Sequence, residues 1–289
     1  MTKAATVRAI YKCLLRDAQD LQRTPHFRLR NALRLEQWGT GHFVEASAPP
    51  PASSSDSQEA PAEAKEKTKL ADIRSLEEYL TLREDGFEHD AKQQTDLLSV
   101  IRASFRENVG LKDPKEGVSL VPMLLQEISV KVDEAILSLQ ELSEQQLLAK
   151  CSSVTTTRGV RIEATSQYVE THSNPEQNIF RFTYRITITN RNEHDSVQIL
   201  GRQYTFESEK GQRIALPRNS PGVVGATPVL APGEAFEYAS GVDIDAPRGS
   251  VTGCLHALRR SDEPNGDELF DAFVSKFALL SPAAAQTHS

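Results

Sequence analysis

The sequence predicts an α+β protein by separate domains, a helical bundle followed by an all-β sandwich, and three observations carry that reading. Phe180 to Asn190, FRFTYRITITN, alternates strictly between apolar and polar side chains, the period-2 pattern of a half-buried strand. Leu97, Ile101 and Phe105, then Leu125, Ile128, Val132, Ala135, Leu139 and Leu142, recur every three or four residues, the pattern of helices with one apolar face. Ser220 to Val242, SPGVVGATPVLAPGEAFEYASGV, sets four glycines among three prolines, which reads as consecutive turns joining short strands.

The chain of 289 residues is long enough for two domains, and 38% hydrophobic residues can fill two cores. A net charge of −7 and a pI near 5.6 exclude non-specific nucleic-acid binding by the whole chain. The first fifty residues run the other way, with eight Lys/Arg against four Asp/Glu, a surplus of four positive charges. A basic end on an acidic protein points to an acidic partner for that end. Cys13, Cys151 and Cys254 are too few and too far apart for a CxxC metal or redox pattern, and their odd number argues against a disulfide framework. A reducing compartment follows. No apolar run reaches the length of a membrane span. MTKAATVRAIYKCLLR is basic and amphipathic, compatible with an uncleaved mitochondrial import signal.

In the helical region, 1–150, Val7, Ile10, Leu14, Ala18 and Leu21 share one helix face, with Arg8, Lys12 and Arg16 as a basic stripe beside it. Taken alone, such a stripe is more often a solvated flank than a binding face. Ala46 to Lys69 is rich in Pro, Ser, Ala and charge without a large apolar side chain, which predicts a disordered insertion within this domain. Ile73 to Arg83 predicts another helix. Asp113-Pro114 offers a helix cap, and Pro122 either sits in the first turn of a fresh helix or kinks a longer one.

IYKCLLRDAQDL resembles the opening helix of the LYR-motif (complex I LYR) family, and IRASFRENVGLKDP resembles that family's second signature. Ile10-Tyr11-Lys12 replaces the name-giving Leu-Tyr-Arg. The resemblance implies a small helical bundle that docks acyl carrier protein, whose phosphopantetheine-borne acyl chain would enter the bundle; the protein itself needs no cofactor. It makes Arg8, Tyr11, Lys12, Arg16, Arg102, Phe105 and Arg106 the expected partner-binding residues, and it implies a mitochondrial matrix location.

In the C-terminal half, strands are predicted over Arg161–Val169, Phe180–Asn190, Val197–Phe206 with a bulge at Leu200-Gly201, Ala235–Ala239, Ser250–Leu258 and Leu269–Leu279, about seven in all, with 281–289 as a disordered tail. Gln198, Gly201 and Arg202, then GVVG, a proline, L-A-P-G-E and S-G, resemble the ApaG family over 154–280, although Ser220 stands where that family has the first glycine of G-x-G-x-x-G. The resemblance implies an immunoglobulin- or fibronectin-like sandwich.

The Gly-rich loop could offer backbone N–H groups to a phosphate, making Arg202, Gly222 and Gly225 a possible ligand loop. No helix follows it, so turns of a sandwich are the better reading, and Arg202 reads as a surface charge. His172, His194 and His256 show no ligand spacing, and no catalytic or metal residue is readable. Two functions compete. One is a non-catalytic mitochondrial adaptor or assembly subunit, recruiting acyl carrier protein by its helices and a respiratory complex or mitochondrial ribosome by its sandwich. The other is binding or hydrolysis of a nucleotide or pyrophosphate by the sandwich.

Overall fold

The computed structural model describes residues 3–24, 41–44, 97–107, 121–218, 220–260 and 266–286. The predicted insertion 46–69, the predicted helix 73–83 and the Asp113-Pro114 cap lie outside them. The chain divides into two compact units, one of 1–31 with 54–146 and one of 32–53 with 147–289.

The first unit holds α1 (Lys3–Gln22), α2 (Leu97–Glu107) and most of α3 (Val121–Lys150). On α1, Ile10, Leu14, Ala18 and Leu21 are buried, as their spacing dictates. The helix ends where Thr24 donates from both its N–H and its hydroxyl to the Leu21 carbonyl. On α2, Leu97 and Ile101 are buried. Pro122 falls in the first turn of α3, where its missing N–H costs nothing. Of the apolar stripe expected on α3, Leu142 is buried, but its neighbours on the stripe are less so. Val132, Ala135 and Leu139 are only half-buried, and Leu137 is 63% exposed. The buried line runs Ser138, Leu142, Gln145. Its polar members are satisfied, Ser138 Oγ by the Glu134 carbonyl at 2.9 Å and Gln145 by Glu141 at 3.2 Å, so they tolerate burial.

The second unit is a sandwich of two antiparallel sheets. One is ordered β1-β8-β4-β3-β2, the other β10-β9-β5-β6, with β7 also on β5. The strands are β1 (Gly41–Val44), β2 (Ser152–Thr157), β3 (Val160–Tyr168), β4 (Phe180–Asn190), β5 (Ser196–Ser208), β6 (Arg213–Leu216), β7 (Val229–Leu230), β8 (Ala235–Ile244), β9 (Arg248–Arg260) and β10 (Glu268–Leu280). β1 departs from the expected boundary: a piece of the first 150 residues forms the edge strand of this sheet, Gly41 opposite Tyr238 and Val44 opposite Ala235.

The inward residues of both sheets form one core, with Tyr184 packed against Tyr204, Phe206 and Phe277 at centroid distances of 6.1, 5.7 and 6.3 Å. Arg158 and Gly159, both with positive φ, turn β2 into β3 as a two-residue hairpin. Where β10 meets β2, Thr155 Oγ1 donates to Ser275 Oγ at 2.6 Å and Ser153 Oγ donates to the Ser275 carbonyl at 2.8 Å, so side chains close that edge.

Asn190, fully buried, ties the L-A-P-G-E turn in place. Its Nδ2 donates to the Asp195 and Leu230 carbonyls, its Oδ1 accepts from the Asn192 N–H, and its backbone carbonyl accepts from Gly233. The tail expected to be disordered is partly ordered. Pro282–Gln286 forms a short helix, α4, whose Ala284 and Ala285 N–H groups donate to the Ser281 hydroxyl and carbonyl. Arg248 holds the Ala284 carbonyl.

Candidate functional site

Six of the seven partner-binding residues expected on the helices fall into two matching groups of three. Arg8 and Lys12 lie three before and one after Tyr11, in R-A-I-Y-K; Arg102 and Arg106 lie three before and one after Phe105, in R-A-S-F-R. The two rings meet at 4.8 Å between centroids, so each helix brings a pair of cations beside the same ring contact. At 100° per residue, positions −3 and +1 both stand off the buried face, and all four cations are exposed. Arg16 continues the α1 stripe one turn on, exposed but bonded through Nε to Asp17 at 2.9 Å. Asp17 raises the Arg16 pKa further by hydrogen bond and charge. Phe105 is half-buried, so it lines the seam between α1 and α2 rather than the centre of a core.

On the sandwich, the loop that leads into β7 is closed on itself. Gly222 donates its N–H to the Leu200 carbonyl at 2.8 Å, Val223 donates to Ala226 at 2.7 Å, and Ala226 donates back to Val223 at 3.0 Å. Those three N–H groups are spent, and none of them is open to a phosphate. Gly222 has φ +65°, and a Cβ there would strike the Ala226 carbonyl; Gly225 has φ +78° and open space around it. Val223 is driven into the core. Gly201 is needed by the same packing, since a Cβ on it would sit 2.8 Å from the Ser220 carbonyl.

Arg202 is not a surface charge. The register of β5 shifts between Ile199 and Gly201, so Arg202 joins Tyr204 and Phe206 on the inner face. Its guanidinium lies 5.5 Å from the Tyr238 ring centroid, a cation–π contact, while its Nε and Nη1 are buried without a hydrogen-bond partner among the described residues. Beneath it Tyr204 and Tyr238 share a hydroxyl hydrogen bond of 2.5 Å. Burial pushes both phenols above their ordinary range and Tyr184 adds to each shift, while their shared hydrogen bond raises Tyr204 and lowers Tyr238. Tyr184 is pushed up by burial as well.

On the outer face of the second sheet, His256 Nδ1 lies 2.7 Å from Asp271 Oδ1, and Arg218 Nη2 reaches both Asp271 oxygens at 3.2 Å. Cys254 shares that face, and the ligand atoms of Cys254, His256 and Asp271 all lie within 4.8 Å of one another. The sequence reading missed this cluster because Asp271 comes to His256 through cross-strand register. The legible part of the signal is Cys-x-His on one strand.

The second unit is thus an all-β, two-sheet domain with its Gly-Pro loop locked by its own hydrogen bonds. The ApaG domain family model matches residues 170–259. Over 126 residues the chain is 36% identical to protein ApaG of Methylocella silvestris, covering 44% of this chain and 91% of the relative. Over 131 residues it is 34% identical to protein ApaG of Brucella anthropi, covering 45% and 95%. A crystal structure described as an ApaA protein from Bordetella pertussis is 29% identical, covers 45% of this chain and 95% of that one, and has a TM-score of 0.38. The chain belongs to the ApaG family.

These relatives correct the mitochondrial expectation, since they are proteins of bacteria, Rhizobium etli and Rhizobium meliloti among them. The basic amphipathic start has a simpler account: α1 is a folded helix whose apolar face is buried. No helix among the described residues is long and apolar enough to cross a membrane.

Proposed function

We propose that the protein is a non-catalytic docking protein whose helical unit binds acyl carrier protein and whose ApaG sandwich binds a larger protein assembly. One observation carries the first half: exposed Arg8, Lys12, Arg102 and Arg106 flank the Tyr11–Phe105 contact in matching positions. Cations grouped around an apolar seam suit an acidic protein that delivers an apolar chain, because charge steers the encounter and the seam receives the chain. The LYR-motif resemblance of 10–21 and 101–114 points to acyl carrier protein as that partner, with the phosphopantetheine chain supplied by it.

For the second half, Leu269 and Phe273 stand 71% and 59% exposed, two residues either side of Asp271 on one face of β10. Exposed apolar side chains in such a group suit a protein interface. Phosphate binding by the 220–226 loop has less behind it, because the loop N–H groups of Gly222, Val223 and Ala226 are already used.

Co-purification tests the reading. Arg8→Glu/Lys12→Glu/Arg16→Glu leaves helix propensity nearly unchanged and reverses the stripe. Wild type retains acyl carrier protein and the triple variant loses it. Retention of the carrier by the triple variant at wild-type yield would overturn the docking assignment.

A further inference from the structure

We propose that Cys254, His256 and Asp271 form a three-ligand site for a divalent transition metal of the zinc class on the outer face of the sandwich. Cys254 and His256 are two residues apart on β9, so both side chains leave the same face of the sheet. Asp271 is the direct cross-strand partner of His256 in the β9–β10 ladder, and cross-strand partners share a face. The three donor atoms lie within 4.8 Å of one another. Zinc at about 2.0–2.3 Å from each tetrahedral ligand needs donor atoms roughly 3.2–3.8 Å apart, so small side-chain rotations complete the site.

The donor set is specific in its chemistry. A thiolate and an imidazole favour zinc or cobalt(II) over magnesium or calcium, and thiolate plus carboxylate supply the two negative charges that neutralise the ion. Cys254 loses its proton to solvent on binding. Three protein ligands leave the fourth position open to water.

His256 turns Nδ1 toward Asp271, at 2.7 Å, so Nδ1 is the ring nitrogen placed to share an ion with Asp271 and Cys254, in place of the resting hydrogen bond. The surroundings favour a held ion. Gly201, opposite His256 on β5, places no side chain over the ring, and the loop crosses there through the Gly201–Pro221 bridge.

Arg218 is the competitor. It holds the Asp271 carboxylate, but its side chain is 65% exposed and can swing into water. Metal binding is therefore opposed by a weak surface ion pair.

Titration of the reduced full-length chain with Co2+ tests the site. Wild type is expected to bind one equivalent, with a thiolate-to-cobalt charge-transfer band in the near ultraviolet and tetrahedral visible bands, both lost on adding Zn2+. Cys254→Ser abolishes the charge-transfer band, and His256→Gln and Asp271→Asn each weaken binding at least about tenfold. Arg218→Ala tightens binding, because it frees the carboxylate without touching the fold. Absence of the band in wild type overturns the proposal, as does its survival in Cys254→Ser, which would move it to Cys13 or Cys151. Weaker or unchanged binding in Arg218→Ala, a variant expected to fold, removes Asp271 from the site.

Discussion

Tyr204 and Tyr238 offer a test of the sandwich core in which single and double substitutions give opposite pictures. Their hydroxyls are 2.5 Å apart in the core, and the residues are 1% and 0% exposed. Tyr238→Phe keeps the ring that Arg202 lies over and deletes only the oxygen, leaving the Tyr204 hydroxyl without that partner in a dry site. An unsatisfied buried hydroxyl costs about 1–3 kcal/mol, which lowers the melting temperature of a domain this size by about 3–12 °C. Tyr204→Phe has the same expected cost. The double variant removes both polar groups together and leaves two rings of nearly the original shape. It should lose less than the sum of the singles, with a coupling of at least about 1 kcal/mol. Calorimetric melts of the four proteins measure this. Additivity within about 0.5 kcal/mol would show that the two hydroxyls are not each other's partner.

Four further outcomes follow from the structure. Because Tyr184, Tyr204 and Tyr238 are held neutral by burial, their contribution is complete below the unfolded phenol pKa of about 10. It is lost as pH rises through the raised folded values, so alkaline unfolding and the late rise in phenolate absorbance should coincide; free titration of all six tyrosines in the folded protein would contradict this. Cys151, buried and with its thiol pushed up to about 11 by burial, should react with a thiol reagent only on unfolding, more slowly than Cys13 or Cys254. Gly225→Ala should cost about 1–2 kcal/mol of strain, whereas Gly222→Ala should cost clearly more because its Cβ also meets the Ala226 carbonyl; equal losses in urea midpoint would contradict the loop geometry. Asn190→Ala strands the carbonyls of Asp195 and Leu230 and should cost about 2–4 kcal/mol, and a change below about 0.5 kcal/mol would show that the turn does not depend on it.

How much of this was legible in the sequence depends on how local each feature is. Phe180–Asn190 was read to the residue because its alternation lies within one strand. The bulge at Leu200-Gly201 was legible too, but its consequence was not: it moves the inner face from odd to even positions, and so Arg202 turns inward beside Tyr204. Ser152–Thr157 was missed because its serines and threonines show no apolar alternation; its side chains instead bond to Ser275 across the edge. Gly41–Val44 gave no sign of pairing with a strand nearly two hundred residues away. Cys254, His256 and Asp271 meet through strand register, which no spacing rule reports. On the helices the exposed cations were more visible, because Arg8, Lys12, Arg102 and Arg106 take their positions from the helical repeat; that α1 and α2 meet at Tyr11 and Phe105 needed the structure.

On the proposed function, the helical unit docks an acidic carrier through the cations around that ring pair. Calorimetric titration of acyl carrier protein into the full-length chain, at about 50 mM and about 300 mM salt, addresses it directly. Saturable binding is expected, weakening at the higher salt and disappearing when Arg8, Lys12 and Arg16 become Glu. Absence of binding by wild type at low salt, or equal binding by the charge-reversed variant, would contradict it.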